Sequence, residues 1–281
     1  MADHHFFTIA ELRARGSTTG SIRREIEAGR LERVIKGWYA TPRTDREAVR
    51  AMRLGGRLGC ISALRLKGAW CPPDQGMHLE FPSYASGRRL AGRGLPADAV
   101  AHWHGKEEAT GSAFPVVPID AAVARMLQCQ PPQLAIAVLD SLLFRRLMTE
   151  NRLRAVLAAG PERMRFLADQ LEPRSEEGIE SIVRFRLAMI GITASVQVTL
   201  RSHDRLDLLV DDWLVLELDG RETHAQEKAF TADRVRTARL IRNGRLVLQF
   251  AYATILYDWS FVESTVLDVI AKHAPIRARR A

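Results

Sequence analysis

The sequence predicts an α/β chain of the multidomain α+β kind, and three observations carry that expectation. Residues 6–42 read helix, turn, helix, hairpin. Residues 46–171 mix short apolar strands with helices, and residues 172–271 run helix, three strands, helix, strand, helix. At 281 residues and 47% hydrophobic content the chain can bury more than one core. The expected segments are 1–45, 46–171 and 172–281.

In the first segment, Thr8-Ile-Ala-Glu11 has the form of a capping box and opens a short helix that ends at Gly16. Ser17 to Ser21 turn into a second helix through Ala28-Gly29, and Leu31 to Ala40 read as a small hairpin around Lys36-Gly37. Helix, turn, helix and hairpin make a winged helix-turn-helix. Ser21, Arg23 and Arg24 lie near the end of the second helix that would enter a major groove, while Arg33 and Lys36 flank the wing. Those five are candidate DNA contacts; the bland alternative is a solvated basic face on a protein-binding module. Trp38 and Tyr39 read as core. The pattern Gly16, Gly29-Arg-Leu31 and Gly37-Trp-Tyr39 resembles the N-terminal domain of the abortive-infection AbiE antitoxin family, which implies a DNA-binding regulator.

The second segment, an α/β then helical connecting region, is less informative. Ile61 to Trp70 looks helical, Met77 to Phe81 and Val100 to His104 look like strands, and Ser83 to Gly94 reads as a flexible basic loop. Helices dominate from Ile119 to Leu171. His102 and His104 alternate on one strand face, but no Cys or acid nearby in sequence completes a metal site, so they read as a surface or core pair. Cys60, Cys71 and Cys129, odd in number and widely spaced, fit free or buried thiols better than a disulfide frame or zinc site.

In the third segment, residues 176–190 place Ile179, Ile182, Val183 and Ile190 at helical spacing, with Glu180 at the border of that stripe. Strands follow at 195–200, 205–210 and 213–219, the last two joined by the turn-forming pair Asp211-Asp212. A helix from 227 to 242 closes at Asn243-Gly244, a strand runs Arg245 to Phe250, and one final helix extends to 271. Alternation puts Glu217 and Asp219 on one face, and the hairpin can bring Asp207 beside Glu217. Clustered carboxylates need a cation or a proton unless they are solvated. Either a divalent ion neutralises them or they mark an ordinary wet hairpin edge. Oxygen ligands suit Mg²⁺ or Mn²⁺ rather than zinc.

With that order in place, Glu180-Ser181 with Arg184, Gln197, Asp207, Glu217-Leu-Asp219-Gly220, His224, and Asp233-Arg234 ahead of Leu240 and Gly244 resemble the PD-(D/E)XK nuclease superfamily. The likeness is greatest to its very-short-patch-repair-like branch, domain of unknown function 559. The resemblance implies a restriction-endonuclease-like αβββαβ core and metal-dependent phosphodiester hydrolysis. Asp207 and Glu217 would ligand the metal, the Leu218 carbonyl could add a third ligand, and Glu180 would act from the first helix. Asp219 departs from the pattern, because the superfamily usually carries Lys there to orient or deprotonate the attacking water. Three resolutions stay open: His224 or Arg234 takes the electrostatic role, Asp219 is itself a ligand, or the site is catalytically weak. His224 is the candidate general acid/base, and Arg234 is also a candidate DNA contact.

The formal charge of +8 and pI near 9.9, with nearly all the positive charge on Arg, permit a nucleic-acid partner without requiring one. No secretory signal or membrane span is legible, so a cytoplasmic location is expected. The leading expectation is a metal-dependent DNA endonuclease, an enzyme brought to duplex DNA by its winged helix. The alternative is a DNA-binding regulator or antitoxin, in the toxin–antitoxin setting of phage defence, with a catalytically degenerate nuclease fold. A clustered acidic set favours the first and Asp219 the second; a homodimer or partner protein stays open.

Overall fold

The computed structural model describes residues 5–82, 92, 94–104, 115–201, 204–219 and 227–278, with backbone alone at 104, 227–233 and 274–278. The mixed α/β class is as expected. The chain divides into two compact units, Met1–Gln130 with Arg154–Arg165, and Pro131–Leu153 with Phe166–Ala281.

The first unit begins with β1 (Phe6–Thr8), α1 (Ile9–Ala14), α2 (Thr19–Glu27), β2 (Glu32–Ile35) and β3 (Trp38–Ala40). Both helices start at reciprocal caps. The Thr8 hydroxyl accepts from Glu11 N at 3.1 Å while the Glu11 carboxylate accepts from Thr8 N at 2.6 Å, and Thr18 with Ser21 repeats the exchange. Gly37 takes φ +85° between β2 and β3, a conformation that an L side chain would strain. β1 adds antiparallel to β3, giving the order β1-β3-β2. Val34, Ala40, Val49 and Met52 form a core with Phe6 and Trp38 packed against it, so the wing shares apolar cover with α3 (Arg46–Arg53).

The same unit continues through β4 (Arg57–Leu58), α4 (Cys60–Leu66), β5 (His78–Pro82), β6 (Val100–His104) and α5 (Ile119–Cys129). β5 is the central strand, antiparallel to β4 and parallel to β6. Ile61 and Leu64 of α4 and Met126 and Leu127 of α5 are fully buried. Most of the Ser83–Gly94 segment lies outside the described residues.

Helices α6 (Pro132–Phe144), α7 (Glu150–Ala159) and α8 (Glu162–Arg165) and a 3-10 turn at Phe166–Gln170 follow. The second unit then runs α9 (Gly178–Met189), β7 (Ala194–Thr199), β8 (Arg205–Val210), β9 (Leu214–Asp219), α10 (Glu227–Arg242), β10 (Leu246–Ala251), α11 (Tyr252–Tyr257) and α12 (Trp259–Ala278). Its sheet has the order β10-β9-β8-β7, with β7, β8 and β9 antiparallel and β10 parallel to β9. This is the expected αβββαβ order. Asp211 and Asp212 both take positive φ, and Trp213 N donates to Val210 O at 3.2 Å, the geometry of a primed hairpin turn. The single C-terminal helix expected from the sequence is instead two. Asp258 interrupts it, its carboxylate accepting from Ser260 Oγ at 3.0 Å and Phe261 N at 3.4 Å, so the side chain caps a new helix. Among the described residues no helix is long and apolar enough to cross a membrane.

Candidate nucleic-acid interface

Over residues 5–42 seven Lys or Arg stand against four Glu. The second helix, α2, buries Ile22 and leaves Arg23 and Arg24 exposed; Arg33 on β2 and Lys36 in the β2–β3 turn are exposed too. Arg23 pairs loosely with Glu27 at 3.6 Å, an exposed contact of little energy that a phosphate can replace. Arg24, Arg33 and Lys36 make no ion pair among the described residues. The Ser21 hydroxyl accepts from Thr18 N at 2.9 Å and donates to Thr18 O at 3.0 Å, which commits it to capping α2.

In the second unit the strand registers assemble a polar row. Val196 pairs with Leu208, and Leu208 with Leu216, so Gln197, Asp207 and Glu217 fall at one level of the sheet. Glu217 in turn pairs with Gln249 on β10. From α9, Glu180 reaches the same place: its Oε1 accepts from Gln197 Nε2 at 2.8 Å, and Oε2 accepts from Glu176 N at 3.1 Å. Burial pushes the Glu180 carboxyl up to about 7, Gln197 opposing and the Asp207 charge reinforcing the shift. Burial also raises Asp207, although Leu218 N donates to its Oδ2 at 2.8 Å and Arg236 and Arg205 lie near. Asp219, at the end of β9, is exposed.

Glu217 is 7% exposed, and its charge is met by Arg236 of α10, which donates through Nη1 at 3.0 Å and Nη2 at 2.8 Å, one nitrogen to each oxygen. The same guanidinium donates to the Arg205 carbonyl. Leu240, one turn further along α10, packs with Val215 on β9, so the pairing of Arg236 with Glu217 follows from how the helix lies on the strand. In this arrangement both Glu217 oxygens and Asp207 Oδ2 accept from protein donors, so protein groups meet part of the negative charge that the sequence reading assigned to a divalent ion. Arg236 is the neighbour of this row that the sequence alone did not indicate. It is one of five basic residues on α10, and nothing local in sequence ties it to Glu217.

Arg184 also has a structural partner. It donates to Asp140 Oδ2 at 3.1 Å and to Gln170 O at 2.6 Å, while Glu172 N donates to Asp140 Oδ1 at 2.8 Å. Burial outweighs Arg184 and lifts Asp140 to about 6. Arg234 is exposed on α10. His224 lies outside the described residues, as does the Asp233 side chain.

A family model described as transcriptional regulator, AbiEi antitoxin, matches residues 2–42. That match coincides with the winged helix. Among solved structures, the crystal structure of the RV2827C protein from Mycobacterium tuberculosis is 16% identical over 63% of this chain and 75% of that chain. Its TM-score is 0.29, too low to carry any argument. No curated protein matches.

Proposed function

We propose that this chain is a DNA-binding regulator of the antitoxin type that engages duplex DNA through its winged helix. The observation that carries the reading is the pair of capped helices and wing at residues 6–40, with Arg24, Arg33 and Lys36 exposed and unpaired among the described residues; the family-model match over the same segment supports it. Exposed Arg and Lys on a recognition helix and wing recruit phosphates and position the helix against base edges. The test is duplex binding by the parent and by Arg23→Glu/Arg24→Glu/Lys36→Glu. A loss of ten-fold or more in affinity supports the reading, and an unchanged Kd moves the module to protein binding.

A second reading, metal-dependent DNA cleavage by the second unit, draws on one specific observation, the row Gln197, Asp207, Glu217 with Glu180 beside it. Arg236 on Glu217 and Asp219 in place of Lys weigh against it. Plasmid nicking that appears with Mg²⁺ or Mn²⁺, stops with chelator and is lost in Asp207→Ala would favour cleavage. Intact plasmid under all three conditions leaves the sheet as a degenerate nuclease-like module.

A further inference from the structure

Away from the winged helix, the first unit gathers four metal-binding side chains from four elements. Cys60 begins α4, His78 lies on β5, His102 on β6, and Cys129 ends α5. One ligand atom of each lies within 4.8 Å of all the others. The expectation that no Cys completes a site around His102 is therefore corrected: the sheet and two helix ends bring two cysteines and a second histidine to it. His78 Nδ1 is 3.2 Å from His102 Nε2 and 3.7 Å from Cys129 Sγ. A tetrahedral zinc ion with bonds of about 2.05 Å to nitrogen and 2.3 Å to sulfur sets those two edges at about 3.3 and 3.6 Å. The observed edges match. Hydrogen bonds between the histidines and from Gln130 Nε2 to Cys129 Sγ at 3.5 Å would explain single edges, but they do not require all four ligand atoms to converge.

The surroundings are built for ligation. His78 Nε2 lies 3.1 Å from the Gln75 carbonyl, which holds that nitrogen protonated and turns the Nδ1 lone pair toward the cluster, the usual outer-shell arrangement of a metal-bound histidine. His78 N donates to Ser62 Oγ at 2.9 Å, and Gly59 N donates to His78 O at 3.1 Å, tying β5 to the start of α4. Cys60 sits at φ +48°, a conformation that a non-glycine residue adopts at a cost of about 1–3 kcal/mol unless its surroundings hold it there. Gly59 permits that approach, since a Cβ there would meet Glu80 Cγ at 2.5 Å. Glu80 has its own counter-ions, Arg57 and Arg125, each 3.7 Å away.

We propose that Cys60, His78, His102 and Cys129 form a closed tetrahedral site for one Zn²⁺ that fastens α4, β5, β6 and α5 together. Two thiolates and two imidazoles suit zinc, and four protein ligands leave no open position for substrate, so the site is structural. Because such ions bind the folded chain, metal binding contributes directly to the stability of the first unit. The inference does not depend on the DNA-binding reading.

The test is metal content of the intact chain purified without chelator, followed by Co²⁺ reconstitution of the stripped chain. One zinc per chain, intense tetrahedral Co²⁺ bands with thiolate charge transfer, and a melting temperature lowered by chelator are expected. Cys129→Ser and His102→Ala should lose those bands, while Cys71→Ser keeps them. If the variants unfold, the parent's stoichiometry and spectrum decide alone. A folded, reduced parent that binds neither ion, a six-coordinate Co²⁺ spectrum, or a Cys60–Cys129 disulfide in the isolated chain would overturn the proposal.

Discussion

The polar row of the second unit and the Cys/His cluster of the first reverse what their local sequences suggest. Asp207, Glu217 and Asp219 crowd into one hairpin and announce a need for positive charge, yet a protein cation answers Glu217: Arg236, 19 residues further on. His78, His102 and Cys129 stand 24 and 51 residues apart, announce nothing locally, and still converge. Clustered charge therefore reveals that a cation is required and not which one. Soft ligands scattered over several elements stay invisible until the sheet brings them together.

If arginines neutralise the buried acids of the second unit, removing one is the costliest way to break that comparison. Arg184→Ala leaves Asp140, fully buried, without its cationic partner, and should cost about 3–5 kcal/mol in urea unfolding near neutral pH. The deficit should shrink as pH falls, because the stranded carboxyl takes up a proton. Arg236→Ala acts on a more exposed pair and should cost about 1–3 kcal/mol. Unchanged stability in Arg236→Ala would mean that another cation serves Glu217.

A smaller effect sharpens the picture at Glu180. Its folded pKa, about 7, lies above the ordinary 4.5. The folded chain therefore holds a proton between those values that the unfolded chain releases, so the stability this group contributes is present below pH 4.5 and lost as pH rises toward 7. Glu180→Gln removes the titration. Its unfolding midpoint should gain on the parent's across that window, and parallel pH profiles would place the Glu180 carboxyl in an ordinary solvated setting.

What was legible follows from the range of the forces involved. Thr8 with Glu11, and the helices and turn that follow, were read from neighbours in sequence, and the structure has that cap, those helices and that turn; the second cap, Thr18 with Ser21, came only with the structure. The αβββαβ order was equally readable, since apolar periodicity and the Asp211-Asp212 turn are local signals. β1 escaped because three residues without alternation acquire strand character only by pairing with β3. The break at Asp258 escaped because the apolar pattern continues across it. The partners of Arg236 and Arg184 and the convergence of the four metal-type ligands escaped for one reason: each contact is made through packing of elements distant in sequence.

The central claim, that residues 5–42 hold duplex DNA by its phosphates, is tested most directly by fluorescence anisotropy of a labelled duplex titrated with the intact chain over a salt series. Each phosphate contact releases condensed counterions, so log Kd should rise linearly with log salt concentration. The slope should fall by about one per charge removed in Arg23→Glu/Arg24→Glu/Lys36→Glu. A Kd that does not change with salt, or a slope identical in the variant and the parent, would contradict the account.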